Sequence, residues 1–356
     1  MKINFILPGW PAPIGGFRVI YEYANRLVDL NHEVNIIHSL YMRQNPFPKN
    51  YFKKIKRIFG LLKKFLQPKQ LNWMYINKKI NMIYLINIKE ELIPNADCIV
   101  ATAWQTSNLI NKFSLIKGRK FDFIQDFYPY MGRKRDIVKT WKHDHKKIVI
   151  SDWLYQEVLK YAKSKRDVIC IKNSVNKKLF FRDKKIKKKN KSVCLMYSKG
   201  TYKNAETAIK TLIKVKKKID INASIFGKDK VDLPLPNWIK FMGQLSHEDL
   251  FKLYNKSDIF LSSSRMEGGA GPIGEAMMCE CAVITNDTLG SRDFAVNNKT
   301  ALVSDPNQSK LLEINLIKVL KNKKLKTMLV KNALVNLKKF SWKNSAQKFE
   351  KFLKLT

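Results

Sequence analysis

The sequence predicts an α/β chain made of two doubly wound, Rossmann-like halves. Three observations predict it. Apolar runs of strand length alternate with glycine-bearing loops and segments of helical spacing, which is the rhythm of βαβ units. That rhythm begins at Lys2 and begins again at Ser192, after the basic run Arg182–Lys191. The length, 356 residues, exceeds the usual size of one domain.

In the first half, Lys2–Leu7 reads as a buried parallel strand. A loop with Pro8, Gly9, Pro11, Pro13, Gly15 and Gly16 follows. Phe17–Asn31 is then helical, with Val19, Ile20, Tyr23, Ala24 and Leu27 at helix spacing, and Glu33–His38 is the next strand. Tyr51–Leu66 is a second helix candidate with two unlike arcs. Phe52, Ile55, Ile58, Phe59, Leu62, Phe65 and Leu66 fall on one, and Lys53, Lys54, Lys56, Arg57, Lys63 and Lys64 on the other. An aromatic and aliphatic arc opposite an all-cationic one is the pattern of a helix lying in a membrane interface. Ala96–Ala103 and Phe121–Gln125 are further strands. Ligands of open parallel sheets sit beyond the C-terminal strand ends, which makes Asp126, Tyr128 and Tyr130 site candidates. His143 and His145 flank Asp144 without further metal ligands nearby, and read as a polar loop. Lys146–Ser151 and Asp167–Lys172 are strands, with a helix from Asp152 to about Lys163 between them.

The second half repeats the pattern. Ser192–Tyr197, Ile221–Phe226, Ile239–Met242, Asp258–Leu261 and Ala282–Thr285 are strands; Lys203–Lys218 and Ser341–Leu355 are helices. Between the last two strands stands the turn Gly268-Gly269-Ala270-Gly271, then Pro272 and a short helix. Proline suits the first position of a helix, and small residues admit a ligand close to the backbone. The dipole and amides of a helix start favour an anion. Glu267 and Glu275 flank this turn with seven residues between them. Carboxylates accept paired hydrogen bonds from adjacent hydroxyls. Phosphate on amides and hydroxyls on carboxylates together describe a nucleotide-sugar site.

The formal net charge is +39. It makes nucleic acid, an anionic membrane and phosphorylated substrates candidate partners. The cations are spread along the chain with no recognised nucleic-acid motif, so nucleic acid is not expected. Cys98, Cys170, Cys194, Cys279 and Cys281 lack metal-site spacing and read as small buried residues in a reducing compartment. No signal peptide or membrane-spanning run is expected.

EGGAGPIGEAM resembles the motif of glycosyltransferase family 4, in which two glutamates flank a seven-residue loop and helix start. Family members usually carry Glu-Gly-Phe-Gly-Leu-Pro there; this chain has Gly269 and Ala270 in place of Phe and Gly. GGFRVIYEYANRLVDLNHEV resembles the family's first glycine loop and helix, whose loop contacts donor phosphate or acceptor. YSKGTYKN stands where the family sets two cations on the donor diphosphate, here Lys199 and Lys203, and NDTLGSR resembles the loop that closes over the donor. With ATAWQTS, FIQDFYPY and KKIVISDWL, the look is closest to the branch of bacterial rhamnosyltransferases.

The resemblance implies the GT-B architecture: a first domain of residues 1–175 plus 341–356, a second of 176–340, and a C-terminal helix crossing back to the first. It implies a retaining hexosyl- or deoxyhexosyltransferase of cell-surface polysaccharide biosynthesis. The donor is a nucleoside-diphosphate sugar and the acceptor a glycan or lipid-linked molecule. Glu275 would hold the ribose and Glu267 the sugar, with Gly268, Gly269, Ala270, Gly271, Pro272, Gly15 and Gly16 around the donor. Lys199 and Lys203 would stabilise the leaving group, and Asp126, Tyr128 and Tyr130 would face the acceptor. No Asp-x-Asp motif appears, so neither metal nor cofactor is expected. Phe52, Lys53, Lys56, Phe59, Lys63 and Lys64 would dock the enzyme on the cytoplasmic face of the membrane. A GT-B epimerase and a basic nucleic-acid-binding protein are the alternative readings.

Overall fold

A computed structural model describes residues 1–40, 52, 55, 56, 59, 60, 71, 73–127 and 133–355. They form two compact units, Met1–Lys172 with Trp342–Thr356, and Asn173–Ser341. The architecture is α/β, one parallel sheet per unit with helices around it.

The sheet of unit 1 contains β1 (Lys2–Leu7), β2 (Glu33–Ser39), β3 (Asn81–Leu85), β4 (Cys98–Ala101), β5 (Arg119–Ile124), β6 (Lys146–Val149) and β7 (Val168–Cys170). Their order is β3-β2-β1-β4-β5-β6-β7, and every pairing is parallel. Parallel strands are covered on both faces, so they read as apolar runs, as CIVA does and as KINFIL does apart from Asn4. β3, not among the strands expected from the sequence, is an edge strand, half-buried along NMIYL. The helices are α1 (Gly15–Asp29), α2 (Trp104–Ile110), α3 (Lys134–Trp141), α4 (Asp152–Leu159) and, from the far end of the chain, α10 (Trp342–Lys354). α1 begins at Gly15, two residues before the expected start, so both glycines are its first residues.

α10 completes the core of unit 1. Phe349 is fully buried, with its ring centroid 4.7 Å from Tyr23, 5.6 Å from Phe123 and 6.0 Å from Phe5. Trp342 meets Tyr23 edge-on at 5.3 Å, and Arg119 donates to the Leu353 carbonyl at 2.7 Å. Burying a phenylalanine contributes about 1.5–3 kcal/mol, which explains why so short a helix stays attached.

Unit 2 carries β8 (Ser192–Met196), β9 (Asn222–Phe226), β10 (Ile239–Phe241), β11 (Ile259–Leu261), β12 (Ala282–Asn286) and β13 (Leu302–Ser304). The order is β10-β9-β8-β11-β12-β13, again all parallel. Its helices are α5 (Ala205–Lys216), α6 (His247–Lys256), α7 (Gly271–Met278), α8 (Ser309–Lys321) and α9 (Lys323–Leu337). The strand order reverses between β8 and β11. Loops leaving those two strands therefore part to opposite faces and open a crevice at their C-terminal ends. Among the described residues no helix is long and apolar enough to cross a membrane, and all five cysteines are free.

Candidate functional site

Three loops of unit 2 interlock at that switch point. The first runs from β8 to α5 and carries Lys203. Asn204 ends it in the left-handed region, φ 47°, at the cap of α5. The second runs from β11 to α7 and carries Glu267. The third follows β12 and is the NDTLGSR segment. Arg265 N donates to Tyr202 O at 2.7 Å and Ser263 Oγ to Asn204 O at 2.6 Å, tying the first two together. Asn286 Nδ2 donates to the carbonyls of Ser263 and Ser264 at 2.9 and 3.2 Å. Glu267 is held from both sides: its N–H donates to Thr288 O at 3.0 Å, and its carbonyl accepts from Gly290 N at 3.1 Å.

Glycine is required at 290 for space. A Cβ there would lie 2.2 Å from the Glu267 carbonyl oxygen and 2.6 Å from the Gly268 carbonyl. Both obstacles are backbone and cannot turn aside. The neighbouring Leu289 sits at φ 63°, an uncommon conformation for a residue with a branched side chain. Asp287 and Arg292 clasp the two ends of this loop, with Nη2 2.7 Å from Oδ2. The arginine beside it holds the Asp287 carboxyl below the usual carboxylate range.

Held this way, Lys203 Nζ lies 2.7 Å from each oxygen of Glu267. Both side chains are 15% exposed, shielded enough for the pair to be stronger than one in open water. Nζ also stands 5.3 Å above the Tyr202 ring. Lys203 and Glu267 line one cavity with Ser262, Ser264, Ala270 and Pro272. α7 starts at Gly271, its cap Ala270 supplies no side-chain hydrogen bond, and Pro272 is its second residue instead of its first. A Cβ on Gly274 would meet Val175 Cγ2 at 2.5 Å and Phe294 at 3.1 Å, so α7 lies flush on both. Glu275, one turn in, is buried. Its charge is felt by the fully buried Tyr254, whose phenol is pushed far up, first by burial and then by Glu275.

Other expected residues lie elsewhere. Lys199 turns to the surface, where Nζ pairs with Asp232 at 2.7 Å, and its ammonium pKa rises through that hydrogen bond. The structure thus brings Lys203, Glu267, Ala270 and Pro272 around one cavity and leaves Lys199 outside its lining. In unit 1, Gly16 accepts a hydrogen bond from Gln125 at 3.1 Å, while Gly15 faces open space. Asp126 lines a second pocket there, and its carboxylate accepts from Phe127 N at 2.9 Å. Tyr128, Tyr130, Lys53, Lys63 and Lys64 lie outside the described residues. Phe52, Phe59 and Lys56 are exposed.

The sequence marks the NDTLGSR loop, but not that Asn286 and Ser263 tie the loops together or that Gly290 makes room for Glu267. A glycine shortly after a strand gives a weak signal by itself. Its role shows only when the β12 loop returns against Glu267.

Residues 176–335, nearly all of unit 2, match the family described as glycosyl transferases group 1. An uncharacterized glycosyltransferase of Methanocaldococcus jannaschii is 27% identical over 184 residues, 48% of this chain and 47% of that protein. The O-antigen chain mannosyltransferase B of Escherichia coli is 30% identical over 107 residues, 30% of this chain and 28% of that protein. The chain spans about half or less of the length of these curated relatives. Among solved structures, Anabaena HepE in complex with UDP and glucose superposes with a TM-score of 0.74 at 15% identity, covering 99% of both chains. Staphylococcus aureus TarM, in complex with fondaparinux, alpha-GlcNAc-glycerol and UDP, gives 0.75 at 12% identity, covering 99% of this chain and 100% of that one. Identities so low establish the fold. The chain has the GT-B fold, and the match to the glycosyl transferases group 1 family lies within its second unit.

Proposed function

We propose that the chain is a retaining glycosyltransferase of family 4, in the rhamnosyltransferase-like branch. It would move a hexosyl or deoxyhexosyl group from a nucleoside-diphosphate sugar to a glycan or lipid-linked acceptor during cell-surface polysaccharide synthesis. The observation that carries this reading is the Lys203–Glu267 pair beside the start of α7, at the switch point of a parallel sheet. The named relatives, two glycosyltransferases and solved neighbours holding UDP, support it.

As the glycosidic bond breaks, negative charge develops on the leaving diphosphate. Lys203 and the amides from Gly268 to Gly271 stabilise it at a preorganised site. Glu267, already opposite Lys203, accepts from hydroxyls of the transferred sugar, and Glu275 from the ribose. Lys199 serves as a second cation by exchanging Asp232 for a phosphate oxygen. An exposed ion pair contributes little, so this exchange is easy. Gly15 and Gly16 at the start of α1 face donor phosphate or acceptor, and Asp126, Tyr128 and Tyr130 the acceptor.

The chemistry needs no metal, and activity survives a chelator; loss with restoration by magnesium or manganese refutes this. The segment Tyr51–Leu66 docks the enzyme on the cytoplasmic leaflet. Its pattern and the exposure of Phe52 and Phe59, 81% and 68%, support docking. A thermal-shift screen against nucleotide sugars tests the reading as a whole, because a ligand of the native state stabilises by mass action. No stabilisation by any nucleoside diphosphate or its sugars refutes it.

A further inference from the structure

The loop between β8 and α5 already carries anions of the protein itself. Met196 at the end of β8 and Lys203 near the start of α5 both line the cavity of unit 2. Between them, Ser198 Oγ donates to Asp229 Oδ2 at 3.1 Å, and the Lys199 amide donates to the same oxygen at 3.0 Å. Lys199 Nζ donates to Asp232 Oδ1 at 2.7 Å. The Lys199 amide holds the Asp229 carboxyl below the usual carboxylate range. A hydroxyl, an amide and an ammonium on one loop at a strand end form a donor set that suits a phosphate. Here two carboxylates fill it. Lys203 is filled likewise, by Glu267.

Both aspartates belong to residues 227–238, the irregular segment that joins β9 to β10. Its backbone is held firmly. Val231, Leu233 and Leu235 pack against the hydrophobic core of unit 2. A Cβ on Gly227 would lie 2.1 Å from the Tyr197 carbonyl oxygen, so the segment starts flush against the residue before Ser198. The side-chain contacts are the opposite case. Lys199 and Asp232 are 51% and 59% exposed, and an exposed ion pair contributes little. A firm backbone thus presents two carboxylates that a stronger anion can replace.

We propose that residues 227–238 form an autoinhibitory strap, in which Asp229 and Asp232 compete with a diphosphate for the donors of the β8–α5 loop. An ammonium has three N–H donors, but a carboxylate left beside a phosphate repels it. The strap therefore lets go when the ligand arrives, or weakens its binding by staying. It returns when the nucleoside diphosphate departs, which favours release of that product. The inference rests on the glycosyltransferase reading for the identity of the ligand as a nucleoside diphosphate. The occupation of the donors by Asp229 and Asp232 does not depend on it.

The test is calorimetry of the full chain with the nucleoside diphosphates of uracil, guanine, adenine, cytosine and thymine. Asp232→Ala tightens the one that binds by about two- to fivefold, the effect of one exposed ion pair. Asp229→Ala releases an amide and a hydroxyl together and tightens it at least as much. In a Lys199→Ala background Asp232→Ala changes nothing, because the ammonium it competes for is gone. Asp232→Ala, an exposed change, decides where Asp229→Ala fails to fold. The proposal is overturned if Asp232→Ala binds as the parent does or more weakly; the glycosyltransferase reading then stands on the parent's own binding. It is overturned too if the gain persists in Lys199→Ala, since the variant would then act only by removing a negative charge. If neither the parent nor Asp232→Ala binds any nucleoside diphosphate, the strap and the glycosyltransferase reading fall together. Binding by Asp232→Ala with none by the parent is the strap's effect in its largest form.

Discussion

At the mouth of the second sheet, Lys203 and Glu267 face each other in partial reach of solvent, on loops whose backbone is strained at Asn204 and Leu289. At the mouth of the first sheet one ionisable group is sealed. His38, at the end of β2, is fully buried between Tyr21, whose hydroxyl lies 2.8 Å from Nε2, and the Gly9 carbonyl, 2.6 Å from Nδ1. A carbonyl only accepts, so Nδ1 carries the proton and Nε2 accepts from the tyrosine. Burial lowers the His38 pKa to about 4. Two sheets of one topology thus hold charge differently. The second mouth keeps a cation and an anion that can exchange partners, which suits a charged ligand. The first keeps its imidazole neutral.

Four experiments break or sharpen this contrast. The largest effect belongs to Gly290→Ala. Its new Cβ overlaps two backbone carbonyls and displaces Glu267. The variant loses about 1–3 kcal/mol of stability, as overpacking does, and shows no thermal shift with any nucleotide sugar that stabilises the parent. A normal shift would mean that Glu267 need not be held by the third loop. Next comes Lys203→Ala, which lowers turnover about a hundredfold or more. Lys199→Ala, whose lysine must first give up Asp232, loses less; no loss at all would remove Lys199 from the leaving group. Third, Glu275→Ala weakens donor binding by about 1–3 kcal/mol with the fold intact, read by calorimetry with the parent nucleoside diphosphate.

The fourth effect is a gradual one, a pH slope from the first mouth. The His38 pKa is about 4 when folded, against the ordinary imidazole value of 6.5. Above 6.5 both states are neutral and the native state has its full stability. As pH falls from 6.5 towards 4 the unfolded chain takes up the proton first, so stability declines by up to ~1.4 kcal/mol per pH unit and ~3 kcal/mol in all. His38→Gln removes that share of the acid sensitivity. If parent and variant unfold with the same pH dependence, His38 is not held neutral.

Part of the lining of the unit 2 cavity stands close together in the sequence. Glu267, the small residues, Pro272 and Glu275 fall within nine consecutive residues, and a helix start fixes their spacing in space. The strands were legible for a similar reason, since burial on both faces leaves an apolar run. What was not legible depends on long-range pairing. Gly290 matters only because its loop returns to Glu267. His145, expected in a polar loop, is buried against Asp122, 3.0 Å away; that pair follows from the register of β5 and β6, which no short window contains. The different directions of Lys199 and Lys203 are set by Asp232 and Glu267, neither of them a sequence neighbour.

The return of α10 to unit 1 also sets an order of assembly. Unit 2 is encoded between the two parts of unit 1, so a ribosome completes it first. Until Trp342–Lys354 emerges, Tyr23, Phe5 and Phe123 lack the aromatic layer that covers them. Their half-built core must wait through the whole synthesis of its neighbour, exposed to chaperones and to other nascent chains. The first domain to begin is therefore the last to be finished, and closing it joins residues more than three hundred positions apart.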